Sequence, residues 1–121
     1  MNTKEYRVIF SLDKTNKPAS EEQITEMLKD IPNTSLALGS YKGEHERSFV
    51  TSSDNMHAAA DYARRYNQES ILLETGYGVY LMFLNDTSVV KIGEKLVKVA
   101  PEVALKQEAW TKIYNNFYIV E

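Results

Sequence analysis

The chain predicts an α+β protein: a ferredoxin-like two-layer α/β sandwich with a C-terminal β extension, in a single domain spanning residues 1–121. Three observations carry this prediction. The pattern runs strand, helix, strand, strand, helix, strand, then further β material. Both helical stretches carry one apolar face, as helices laid on a sheet must. The first strand is apolar on both faces, which places it centrally.

Taken in order, Tyr6–Asp13 puts Tyr6, Val8, Phe10 and Leu12 on one face and Ile9 on the other. Ser20 followed by Gln23 is a capping-box pattern, and Ile24, Met27, Leu28 and Ile31 repeat at helical spacing until Pro32, so residues 20–31 form a helix. Ser35–Ser40 and Arg47–Ser53 are the next strands, joined by the charged stretch SYKGEHE, read as an exposed loop or hairpin tip. Ser53 or Asp54 caps a second helix running to about Asn67, with Met56, Ala59, Ala60, Ala63 and Tyr66 along one face. Glu69–Thr75, Val79–Asn85 and Ser88–Ile92 read as strands separated by Gly76-Tyr77-Gly78 and Asn85-Asp86-Thr87. The pattern weakens after Gly93 and Pro101 breaks it; Ala109–Tyr114 and Phe117–Val120 then flank a turn at Asn115-Asn116. In an open sandwich no helix covers the second sheet face, so its apolar side chains predict oligomerisation.

Composition narrows the function. Formal charge is −3, and each half of the chain is slightly acidic: seven basic against nine acidic residues in 1–60, seven against eight in 61–121. No basic half exists to grip phosphates, which argues against nucleic-acid binding. There is no cysteine, hence no disulfide, thiolate nucleophile or sulfur-built zinc site. Met1 leads into polar Asn2–Glu5 and no apolar run approaches the ~20 residues of a membrane span, so a soluble, cytoplasmic protein without membrane association is expected. His45 and His57 are isolated from further ligands and read as surface residues, with no metal expected.

Three features carry the candidate chemistry. Tyr41-x-Gly43-x-x-Glu46-x-Ser48 enters the third strand, where alternation places Glu46 and Ser48 on one face. Gln68-Glu69-Ser70 joins the second helix to the fourth strand, a junction where a carboxylate can face a cleft. Eight tyrosines supply aromatic faces able to attract a cationic ligand.

The segments LGSYKGEHERSFVTSS, AAADYARRYNQ and ESILLE resemble the small phage enzymes that degrade S-adenosylmethionine, first called SAM hydrolases and later SAM lyases; EAWTKIYNNFYIVE is similar to that family's closing hairpin. The resemblance implies a PII-like sandwich, assembled as a homotrimer with active sites between subunits and needing no cofactor. It also implies conversion of S-adenosylmethionine to methylthioadenosine and homoserine lactone, which starves host methyltransferases and blunts restriction in the host cytoplasm. Under it the functional carboxylate maps to Glu69, with Gln68 and Ser70 on either side of it as substrate contacts. Tyr41, Glu46 and Ser48 fall where the intersubunit loop contacts substrate, and Glu108 is the candidate second acidic contact. The competing reading is a non-catalytic PII-like trimer that binds a nucleotide or S-adenosylmethionine as a sensor.

Overall fold

The computed structural model describes residues 6–14 and 17–121; the polar lead-in Met1–Glu5 lies outside the described residues. Its first helix, α1 (Glu21–Asp30), begins as expected. The Gln23 amide N–H donates to Ser20 Oγ (3.1 Å) and the Ser20 N–H to Gln23 Oε1 (2.9 Å), a complete capping box. The second helix starts differently: a 3-10 turn at Ser53–Asn55 leads into α2 (Met56–Arg65), and neither Ser53 nor Asp54 caps it. The helices are tied together where the Tyr62 hydroxyl donates to Asp30.

Among the described residues nine strands build one sheet: β1 (Arg7–Phe10), β2 (Ser35–Tyr41), β3 (Glu44–Ser52), β4 (Ser70–Thr75), β5 (Gly78–Phe83), β6 (Val89–Gly93), β7 (Leu96–Val99), β8 (Ala109–Ile113) and β9 (Asn116–Val120). Their order is β6-β5-β4-β1-β3-β2-β8-β9-β7, with every neighbouring pair antiparallel. β1 is central, between β3 and β4, as its two apolar faces require. It is shorter than the expected 6–13 because Ser11 and Asp13 leave the ladder for side-chain bonds of their own. The expected 40–46 loop shrinks to Lys42-Gly43. Both have positive φ (52° and 83°), the turn that suits a two-residue hairpin, and pairing continues to Tyr41 opposite Glu44. Glu46 is therefore a strand residue. β7 and a short helix α3 (Pro101–Ala104) were not legible; α3 has proline at its first turn and buries Ala104.

One sheet face meets the helices: Val8, Phe10, Leu12, Phe49, Ile71 and Leu73 pack against Met27, Ile31, Ala59, Ala60 and Ala63, all under a tenth exposed. The α+β class is observed, but the other face does not behave as an open two-layer sandwich would. The sheet curls until it nearly closes, and Ile9, Ala37, Val50, Val79, Leu96 and Ile113 bury one another across its concave side. The edges meet where β6 runs through Glu94-Lys95 into β7. There the Glu94 N–H donates to the Glu121 carbonyl (2.7 Å) and the Glu121 N–H to the Lys95 carbonyl (2.9 Å). Part of the apolar surface expected to need a second copy is thus covered within one chain, while Leu36 on β2 and Val89, Val90 and Ile92 on β6 stay exposed.

Arg7 and Glu74 also lie on the concave face. Arg7 Nε and Nη2 donate to the two Glu74 carboxylate oxygens (2.9 and 3.0 Å), and the guanidinium sits 4.6 Å from the Tyr118 ring centroid. The hydrogen bond with Glu74 raises the pKa of Arg7 above the ordinary arginine value. Glu74 is only 2% exposed, so the geometry of this pair decides whether its burial is tolerated.

Closure depends on a missing side chain. A Cβ on Gly93 would stand 2.2 Å from Val120 Cγ1 and 3.0 Å from the Glu121 carbonyl oxygen. Gly93→Ala is expected to lower unfolding free energy by about 1–3 kcal/mol, as overpacking does. Urea denaturation checks this, and unchanged stability would mean that the edges do not need this close approach.

Candidate active site

A groove of about 1160 Å³ opens beside the C-terminal end of β1. The strands place its lining by alternation. Ile9 on β1, Glu46 and Ser48 on β3, Ser70 and Leu72 on β4, and Leu81 on β5 all contribute. Ile9, Leu72 and Leu81 supply apolar surface. Opposite Glu46 and Ser48 the ladder puts Gly39 and Ala37, the two smallest side chains available, so β2 adds little bulk there. A Cβ at Gly39 would lie 3.5 Å from Ser48 Oγ.

The α2–β4 junction forms another wall. α2 ends with Asn67 in the left-handed region (φ 57°), and the Gln68 N–H donates to the Ala63 carbonyl (2.9 Å), which turns the chain sharply toward the sheet. The Leu84 N–H donates to the Glu69 carbonyl (2.9 Å), fixing the backbone of Glu69 while its side chain remains exposed.

Six of the residues singled out from sequence line this one groove: Tyr41, Glu46, Ser48, Gln68, Glu69 and Ser70. They come from the β2–β3 hairpin and the α2–β4 junction, at least twenty positions apart in the chain. Glu108 does not line it. Its carboxylate lies 3.6 Å from Lys42 Nζ, both side chains well exposed, and its carbonyl accepts the Lys42 N–H (2.7 Å). His45 lines the groove but stacks edge-on against Trp110, with ring centroids 5.4 Å apart.

Sequence reasoning missed the groove's charged frame. Arg47 Nε and Nη2 donate to the Asp13 carboxylate oxygens (2.9 and 2.6 Å), and Nη2 also donates to the Ala19 carbonyl (3.0 Å). The Asp13 hydrogen bond raises the pKa of Arg47 above the ordinary arginine value. In the sequence Asp13 ends one strand-like stretch and Arg47 begins another; no local motif joins residues 34 positions apart. Altogether three cationic side chains (Lys14, Lys17, Arg47) and four carboxylates (Asp13, Glu44, Glu46, Glu69) line the groove, leaving one net negative charge with His45 neutral. Such a site favours a ligand of net positive charge carrying an apolar portion. Among the described residues no cluster of three or more His, Cys, Asp or Glu is arranged to hold a metal ion, and no helix is long and apolar enough to cross a membrane.

The model of the S-adenosylmethionine lyase family matches residues 11–121. No curated protein matches the chain.

The left-handed turn at Asn67 predicts a side-chain-specific effect. Asn67→Gly should leave stability nearly unchanged, whereas Asn67→Ala should lower it by about 1 kcal/mol, because alanine tolerates that conformation poorly. Paired denaturation curves check this; equal stabilities would contradict the assigned turn.

Proposed function

The chain belongs to the S-adenosylmethionine lyase family, and from that premise we propose that the groove between the β2–β3 hairpin and the α2–β4 junction is where it cleaves S-adenosylmethionine. The observation carrying this reading is the convergence of Tyr41, Glu46, Ser48, Gln68, Glu69 and Ser70 on one groove with an apolar floor and one net negative charge. The substrate fits that description: sulfonium, ammonium and carboxylate sum to one positive charge, beside an adenosine that can lie on Ile9, Leu72 and Leu81.

The reaction proposed is intramolecular. A carboxylate oxygen of the substrate attacks its own γ-carbon, a C–O bond forms, and the γ-carbon–sulfur bond breaks with its electron pair passing to sulfur. Methylthioadenosine leaves as a neutral thioether and homoserine lactone keeps the ammonium; no proton is transferred. Nucleophile and leaving group share one molecule, so the protein's task is to hold the folded conformer and exclude water. Opposite charges annihilate as the bond forms, and a less polar surrounding therefore favours the transition state over the solvated ground state.

Glu69 serves this best by pairing with the ammonium, which anchors the amino-acid arm and leaves the carboxylate free. Against the sulfonium it would stabilise mainly the ground state, since that charge disappears. Tyr41 offers its ring face to the sulfonium, and Glu46 and Ser48 offer acceptors along β3. Glu108, outside the groove, would contact substrate only from a neighbouring copy.

Glu46 and Glu69 are exposed in the single chain. A groove open to water suits this chemistry poorly, which supports a neighbouring copy covering the site, and the resemblance makes that assembly a homotrimer. The antiparallel order β4-β1-β3-β2 with α1 and α2 on one face is consistent with a ferredoxin-like, PII-like core under the added strands. Depleting the methyl donor of methyltransferases fits a phage counter-defence against restriction.

Glu69→Gln is expected to lose at least about 100-fold in kcat while light scattering still finds a trimer; wild-type methylthioadenosine production would remove Glu69 from the mechanism. In water enriched in oxygen-18, the first-formed lactone should be unlabelled, with label entering only the carboxyl group as the lactone later opens. Label on the γ-hydroxyl oxygen of homoserine would instead establish attack by water.

A further inference from the structure

Two walls of the groove come from distant parts of the chain, and one network of side chains joins them. The Asp13 carboxylate accepts both Arg47 bonds and also the Ala19 N–H (2.8 Å), while the Asp13 backbone carbonyl accepts the Gln68 side-chain amide (2.8 Å). Ser11 completes it: its hydroxyl donates to the Arg47 carbonyl (2.9 Å) and accepts the Asp13 N–H (3.1 Å). Asp13 thus ties the end of β1 to the segment entering α1, to β3 next to Glu46 and Ser48, and to the junction that carries Glu69.

We propose that Asp13 and Arg47, with Gln68, are positioning residues that set Glu69 against Glu46 and Ser48 across the groove. The inference rests on the reading of this groove as the reaction site. Its physical ground is the geometry of the parts. Arginine's planar fork meets a carboxylate at two points and fixes orientation as well as distance, which a lysine ammonium does not. Arg47 sits on β3 between Glu46 and Ser48, so holding it holds its two neighbours, which project to the opposite face. Gln68 directly precedes Glu69, and its amide is committed to the Asp13 carbonyl, which gives Gln68 a framing role in place of the substrate contact expected from sequence. The bidentate pair is only partly buried, with side-chain exposures of 35% and 17%. Its consequence is therefore expected in catalysis more than in global stability.

The reaction makes such a frame consequential. Turnover requires one folded conformer of a flexible substrate, and displacement of the anchoring carboxylate by about 1 Å can cost on the order of 100-fold in rate. Substrate still binds when the frame loosens, through its adenosine and its net charge, but spends less time in attack geometry. A fall in kcat larger than any change in KM is the signature.

The test compares Arg47→Ala, Arg47→Lys and Gln68→Leu with Glu69→Gln, measuring kcat, KM and the melting transition of each. Arg47→Ala is expected to lose about 10- to 100-fold in kcat, with KM changing less. Arg47→Lys should recover part of that loss by restoring charge and one bond. Gln68→Leu, which removes only the amide and guards against a poorly folding Arg47→Ala, should lower kcat about tenfold with its melting temperature preserved. Wild-type kcat and KM in folded Gln68→Leu and Arg47→Lys, beside an inactive Glu69→Gln, would overturn the positioning role while leaving the site in place. Wild-type turnover in Glu69→Gln itself would remove Glu69 from the mechanism, and the positioning role with it.

Discussion

β1 carries apolar side chains on both faces, and the chain has to cover each of them. Val8, Phe10 and Leu12 go under α1 and α2, whose alanines allow close approach. Ile9 faces the other way, away from α1 and α2. The chain answers by bending the sheet over itself, so that Val79 and Leu96, on strands far apart in the strand order, share one buried cluster with Ile9. Burial of this second face favours the curl by the ordinary hydrophobic term, on the order of 25 cal/mol per Å² of apolar area removed from water. Nearly joining the two edges leaves less unpaired backbone at the seam. The Arg7–Glu74 pair, held on the same face, is tolerated there because its charges and hydrogen bonds are matched.

Two grooves border opposite ends of β1. Tyr6 and Arg7 line one, of about 910 Å³; Ile9, Phe10 and Ser11 line the other, proposed as the reaction site. Where the apolar filling of the concave face stops, strand alternation goes on delivering side chains to it, and these become polar: Val50 is followed toward the groove by Ser48 and Glu46, and Leu72 by Ser70. The proposed site is thus a continuation of the packing pattern that closes the sheet. For the proposed reaction this is an apt setting, since the substrate brings its own nucleophile and the protein must supply shape, one anchoring carboxylate and shelter from water.

Features governed by neighbouring residues were legible in the sequence. The Ser20–Gln23 capping box, the two-faced character of β1, both helices, and the β4–β5 hairpin at Gly76-Tyr77 follow from periodicity and turn chemistry acting over a few residues. The family and the residues gathered at the groove were legible by resemblance, through LGSYKGEHERSFVTSS and ESILLE. What escaped depends on distance in the chain. The curl requires Val79 to meet Leu96 and Gly93 to approach Val120, and no window of sequence encodes those approaches. β7 is only four residues long, and its Leu96-Val97-Lys98-Val99 shows no alternation strong enough to stand alone. Asp13 and Arg47 looked like ordinary strand-end charges until the fold set them together. The expectation of an uncovered sheet face failed for the same reason: counting apolar strand faces takes no account of a sheet that can bend.

Substrate is proposed to occupy the groove framed by the β2–β3 hairpin and the α2–β4 junction. A crystal structure of the Glu69→Gln protein with S-adenosylmethionine tests it most directly. Ligand is expected in that groove, its adenosine against Ile9, Leu72 and Leu81 and its ammonium beside residue 69, with a neighbouring copy closing the opening. Ligand found instead beside Arg7 and Tyr118 at the other end of β1 would contradict it.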